Sequence, residues 1–279
     1  MQYPSSLKFS KVENGIKMKR IKEGKYSPDI WAMSYSLNEG LCEGKDIISV
    51  YVNPKDTTEI LRTYFLPQVF RGFQFLPDIN KKAEGIIDKV MNKEFVTYEH
   101  DYKFKVRGTK NKQESLLERY IFNNLSRCFG KEFKNNKIGL RQFPANIFSK
   151  IIKKSSRKGR KFWIDILTVN SLNHLSVIEL KAGQNAPLDL FIQSIDYGIF
   201  AHLFKEHISD YPFIKNKRIL SNKVAIYLVA EKFHPAITGG VKIKGITSRL
   251  KTNELFDIHL IQFKKKGSRL SHFEEIICI

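Results

Sequence analysis

The sequence predicts an α/β protein with a mixed central sheet flanked by helices, preceded by an α+β accessory module over residues 1–108. Three observations carry this. Downstream of residue 109 the apolar pattern runs helix, three strands, helix, strand, the order of an α/β sandwich. Hydrophobic residues make up 42% of the 279, enough to build the core of one large domain or two modest ones. The turn-like stretch RGTKNK, 107–112, sets a boundary near residue 108, and the positive charge concentrates after it.

Taken in order, the first thirty or so residues are polar, carry Gly15, Gly24 and Pro28, and show no sustained periodicity, which reads as a mobile arm or an irregular lead-in. IWAMSYSL (30–37) and KDIISVYV (45–52) are expected as two strands across a turn at Asn38-Glu39-Gly40, with Asn53-Pro54 ending the second. Helical spacing follows over 57–70 and 79–91, and EFVTYEHDYKFKV (94–106) reads as a basic, aromatic strand. Leu117, Ile121 and Leu125 make one face of a helix beginning near Gln113. KIGLRQFPANIF (137–148) reads as a strand or strand pair. FWIDILTV (162–169) and LSVIEL (175–180) are strands separated by the turn residues 170–173. A long helix over 187–207, the strand VAIYLVAE, a turn at Gly239-Gly240 and two last strands, LFDIHLIQF and HFEEIICI, complete the chain.

Composition narrows the partners. No apolar run reaches the roughly 18 to 20 residues of a membrane span, and polar, lysine-bearing sequence follows Met1, so neither a membrane nor an export role is expected. Three scattered cysteines, Cys42, Cys128 and Cys278, form no disulfide framework or CxxC cage, which fits a reducing cytoplasmic setting. The balance of 48 Lys+Arg against 28 Asp+Glu leaves +20, an excess suited to a polyanion such as DNA, with RNA also open. Residues 109–181 hold 16 of the basic and 5 of the acidic residues, a net of +11, so over half the excess lies in about a quarter of the chain.

That quarter contains Asp165 and Glu179, each inside apolar sequence where an unpaired charge costs several kcal/mol. In a strand Glu179 and Lys181 share a face, and an antiparallel hairpin of 162–169 with 175–180 lays Asp165 beside them. Two carboxylates and an ammonium then converge at a strand end. A hard divalent ion, Mg²⁺ or Mn²⁺, would compensate the carboxylates, activate water and neutralise phosphate charge. The alternative for V-x-E-x-K taken singly is a solvated strand face with a cross-strand ion pair.

Asp165, thirteen residues, then Glu179-Leu180-Lys181 resembles the signature of the PD-(D/E)xK nuclease superfamily, with Ile164 in place of the proline. The resemblance implies a restriction-endonuclease-like core, metal-dependent DNA hydrolysis and catalytic roles for Asp165, Glu179 and Lys181. It also implies a metal-site glutamate on the preceding helix. Glu114 is preferred and Glu118, four residues on and on the same face, stays open; the alternative for both is a solvated helix flank paired with Lys110 or Arg119. Gln193-Ser194-Ile195-Asp196-Tyr197 resembles the QxxxY motif of the RecB-like and Cas4-like branch, although that branch's iron-sulfur cysteines are missing. Gln193 and Tyr197 lie about 40° apart on the helix, away from the stripe of Leu188, Phe191, Ile192, Ile195, Ile199 and Leu203, and so are not expected as core filler; projecting together they could hold a DNA strand against the metals, the alternative being a polar helix surface with a surface tyrosine.

Arg141 and the basic run Lys153, Lys154, Arg157, Lys158, Arg160 and Lys161 are further phosphate-contact candidates, against a structural arginine and a solvated hairpin tip. His202 and His207 are five apart and do not make an HExxH pair. No GxxxxGK[ST] or GxGxxG occurs, so nucleotide-driven motion would need a partner protein, and double-strand cutting would call for a homodimer. The expected activity is a metal-dependent deoxyribonuclease of restriction, phage defence or repair. Two rivals are a catalytically inactive nuclease fold that binds nucleic acid, and an interaction subunit that contacts RNA or a partner's acidic patch.

Overall fold

Where the polar lead-in was expected to be irregular, alternating side chains build a hairpin: Leu7–Val12 (β1) pairs antiparallel with Gly15–Arg20 (β2). The computed structural model describes residues 2–21, 27–43, 45, 47–75, 77–97, 112–133, 139–145, 147–149, 157–158, 163–183, 186–211, 214, 219, 222–266 and 269–279. The segment IWAMSYSL, expected as a strand, lies in helix α1 (Pro28–Asn38). Pro28 presets the first helical turn after the extended Ser27, and Asp29 sits at the positive helix end, so the start signal overrides the aromatic strand propensity. Gly40 at φ 69° follows the helix, a backbone conformation that L side chains rarely adopt.

Ile48–Tyr51 (β3) joins β2 in parallel, and α2 (Thr57–Val69) begins with Asp56 accepting from the Glu59 N–H at 3.0 Å. Phe73–Phe75 (β4) closes a first sheet of order β1-β2-β3-β4. Then come α3 (Pro77–Met91) and β5 (Phe95–Val96). Residues 98–111, holding the expected boundary and most of the basic, aromatic strand, lie outside the described residues.

After α4 (Lys112–Asn123) and α5 (Leu125–Phe129) come β6 (Gly139–Pro144), β7 (Ile147–Ser149) and β8 (Arg157–Lys158). β9 (Trp163–Val169) and β10 (Leu175–Lys181) form the expected hairpin. α6 (Leu188–Leu203) and α7 (Lys205–Ser209) lead to β11 (Val224–Ala230), α8 (Pro235–Thr238), β12 (Phe256–Lys266) and β13 (Arg269–Cys278).

The main sheet is mixed and six-stranded, in the order β13-β12-β11-β10-β9-β6. β10, β11 and β12 run parallel; β9, β6 and β13 are antiparallel to their neighbours. β5, β7 and β8 make a third, small sheet. α6 covers one face of β10 and β11, with α1 and α2 packed behind it, while α4 and α5 cover the opposite face. Gly198 permits the close approach of α6, since a Cβ there would stand 2.2 Å from Ile226 Cδ1. The core on the α6 side is continuous from Leu7 to Leu260, so the N-terminal elements share it with the main sheet. Among the described residues no helix is long and apolar enough to cross a membrane.

Candidate active site at two diverging strands

The β9–β10 ladder runs from Leu175↔Val169 to Ile178↔Ile166 and stops. Each strand stays paired on its outer side, β10 with β11 as far as Lys181↔Ala230 and β9 with β6 as far as Pro144↔Trp163. The sheet therefore opens between β9 and β10 where Asp165 and Glu179 would face each other next. Their carboxylates replace the lost ladder bonds. The Leu180 N–H donates to Asp165 Oδ2 at 2.9 Å, and the Asp165 N–H supports the Glu179 carboxylate.

Burial dominates the electrostatics. It pushes Asp165 up to about 7, helped by repulsion from Glu118 and Glu114 and opposed by the Leu180 N–H and the Gln142 amide. Burial, then the charge of Asp165, raises Glu179 well above the ordinary carboxylate range. Glu179 is 5% exposed, and its Oε2 is buried without a hydrogen-bond partner. Such an oxygen is costly unless a cation or donor meets it.

α4 brings both of its glutamates to this opening. Glu114 Oε1 takes the Lys181 ammonium at 2.7 Å; Lys110, one partner in the solvated-flank alternative, lies outside the described residues. Glu118 Oε1 takes Arg141 Nε at 2.6 Å and its Oε2 takes Gln142 Nε2 at 2.8 Å. Burial raises Glu118 as well. Arg141, a phosphate-contact candidate set against a structural arginine, makes this ion pair with Glu118 on the edge strand β6.

Gln142, which sequence reasoning did not single out, also donates to Asp165 Oδ1 at 3.1 Å and so bridges the helix carboxylate to the strand carboxylate. It sits in β6 at φ 55°, a strained conformation for a residue with a side chain and one that re-aims its amide. A second polar residue directly after Arg141, in a short strand that otherwise reads Gly-Leu and Phe-Pro, was the available signal. Gln142 stands between Glu118 and Asp165, Lys181 is bonded to Glu114, and no three of these acids bring one oxygen each within 4.8 Å of one another.

From the other face, α6 carries Gln193 and Tyr197. The expectation of a surface tyrosine is corrected: Tyr197 is 1% exposed, its phenol turned toward the ends of β9 and β10 beside Trp163, Asp165 and Glu179. Its hydroxyl accepts from the Gln193 amide, and Glu179 and Asp165 are close enough to push its ionisation further up after burial has done so. The phenol faces the carboxylates and does not reach solvent as a DNA contact. Asp196, between the two, pairs with the buried Arg62 of α2 at 2.7 Å, and Arg62 in turn reaches Asp29 of α1 at 2.6 Å.

The structure thus brings together Asp165, Glu179, Lys181, Glu114, Glu118, Arg141, Gln193 and Tyr197. Lys153, Lys154, Arg160 and Lys161 lie outside the described residues, and Arg157 and Lys158 enter only as the backbone of β8, paired with β7.

No protein-family model matches the chain, and no curated protein matches it. One solved structure, a complex of EndoMS with double-stranded DNA, is similar at 17% identity and a TM-score of 0.27. That match covers 61% of this chain and about half, 51%, of the other. At that TM-score the likeness carries no argument about fold or activity.

Proposed function

We propose that the chain is a divalent-metal-dependent nuclease of restriction-endonuclease-like fold, hydrolysing DNA phosphodiesters at the opening between β9 and β10. The observation that carries this reading is the paired strand carboxylates, with Glu179 Oε2 buried and unpartnered. The donor set fits Mg²⁺ or Mn²⁺: it consists of carboxylate oxygens, and one or two carboxylates plus phosphate and water are the usual holders of such ions. Asp165 and Glu179 would hold the metal, with Glu114 or Glu118 as the helix ligand. When bound, the ion supplies Lewis acidity that lowers the pKa of water and neutralises charge on the phosphate.

The chain's own groups supply the rest. Lys181, released from Glu114, directs its ammonium at the attacking water. Gln142 and Arg141 hold Glu118, and the buried Tyr197 hydroxyl, bonded to Gln193, lies near Glu179. The basic run 153–161 and the net charge of +20 supply the attraction for the DNA backbone. Restriction, phage defence and repair are uses consistent with that chemistry.

A second reading, a nuclease fold that binds nucleic acid without cutting it, is favoured by one observation. Lys181 is tied to Glu114, and Gln142 spans Glu118 and Asp165, so side chains already occupy the opening. Incubating supercoiled plasmid and single-stranded DNA with Mg²⁺ or Mn²⁺ separates the two. The nuclease reading requires metal-dependent cleavage that Asp165→Ala and Glu179→Ala abolish; binding without cleavage by the wild type supports the second.

A further inference from the structure

A second group of ligand-bearing side chains lies on the main sheet at β12 and β13, away from the diverging strands. His259, Glu275 and Cys278 each offer one donor atom, and the three atoms lie within 4.8 Å of one another. The donors are an imidazole nitrogen, a carboxylate oxygen and a thiol sulfur, a mixed set suited to a borderline transition ion rather than to Mg²⁺.

A backbone irregularity assembles the group. Residues three apart in a regular strand point to opposite faces, so Glu275 and Cys278 should diverge. The ladder pairs His259 with Cys278 and Leu260 with Ile277, then jumps to Ile261 with Glu275, leaving Ile276 as an extra residue. This β-bulge resets the alternation and returns Glu275 to the face of Cys278 and His259. Bulges re-aim side chains in this way next to functional sites.

The histidine is fixed in advance. Its ring stacks on Tyr227 at 4.3 Å and 8°, and the Tyr227 hydroxyl donates to Glu132 at 2.7 Å. His259 is 7% exposed and its Nδ1 meets Glu275 Oε1 at 2.5 Å. Glu275 and Cys278 open to solvent, which leaves an entry path. Burial, and then the charges of Glu275, Glu132 and Asp257, hold the Cys278 thiol above its ordinary value, a negative surrounding that a dication would meet.

We infer that His259, Glu275 and Cys278 form a binding site for a transition-metal dication of the Zn²⁺ class, with a fourth position left for water. The ion replaces the hydrogen bond between His259 Nδ1 and Glu275, the neutral imidazole then carrying its proton on Nε2, and Cys278 binds as thiolate, releasing its proton to solvent. The site is independent of the proposed nuclease chemistry.

Cobalt(II) is the probe, added to the full chain under a non-thiol reductant. A thiolate-to-cobalt charge-transfer band should appear at one equivalent, be bleached by Zn²⁺, and persist in the Asp165→Asn, Glu179→Gln double variant. Cys278→Ser should remove the band. Zn²⁺ affinity, read by competition with a chromophoric chelator, should fall at least tenfold in Glu275→Gln and in Cys278→Ser. Both side chains are exposed, so these variants keep the core intact. Absence of the band in the wild type overturns the assignment, and so does the same band in Cys278→Ser, where the thiolate would belong to Cys42 or Cys128.

Discussion

Arg62 of α2 and Asp196 of α6, 134 residues apart, form a fully buried ion pair whose guanidinium also reaches Asp29 of α1. Asp196 sits between Gln193 and Tyr197, so the N-terminal helices clamp the helix that stands under the carboxylates. Arg62→Met leaves two buried carboxylates facing each other. It should cost about 3–5 kcal/mol in urea unfolding, and adding Asp29→Asn and Asp196→Asn should recover most of that loss. A cost under about 1 kcal/mol would contradict the clamp.

Asp165 should lower the stability of the metal-free protein at alkaline pH. Its folded-state pKa is raised to about 7, so the folded protein favours the neutral acid. The favourable contribution is full below the unfolded value near 4 and is lost as pH rises through about 7. Asp165→Asn should therefore stabilise the protein by about 1–3 kcal/mol at pH 8 and hardly at all at pH 4, measured by chemical denaturation without metal. An equal effect at both pH values would mean that the carboxylate ionises as an ordinary exposed group.

Lys181→Ala separates catalysis from binding. If the ammonium assists the attacking water, plasmid cleavage should fall by about 100-fold or more while duplex affinity changes by less than about threefold. Unchanged cleavage would assign Lys181 to the Glu114 ion pair alone.

The basic run 153–161 should govern salt dependence. Replacing its six Lys and Arg residues should flatten the slope of log affinity against log salt for duplex DNA by about 0.9 for each phosphate contact removed, a total of up to about 5. A slope identical to that of the wild type would place the contacts elsewhere on this basic chain.

Periodicity was sufficient for α2, α3, α4, α6 and the strands β9, β10 and β11, because each carries a continuous apolar stripe or run. The β9–β10 hairpin was legible from two apolar strands across a turn, but where its ladder stops, one position short of Asp165 and Glu179, was not. α1 was misread as a strand because it is buried on nearly every side, which erases the amphipathic stripe while leaving Ile30, Trp31 and Tyr35 to argue for β structure. Tyr197 was placed at the surface because a helical wheel knows only one packing face, and α6 has two. The parting of β9 from β10, the re-aimed Gln142 and the Arg62 clamp depend on contacts among distant segments, which no local pattern encodes.

The central claim is that Asp165 and Glu179 together hold a divalent ion. Isothermal titration of Mn²⁺ into the full chain at pH 8 tests it without relying on turnover. The account predicts saturable binding weakened more than tenfold by Asp165→Asn and by Glu179→Gln, and untouched by Cys278→Ser. Mn²⁺ affinity equal in the wild type and in both carboxylate variants would contradict it.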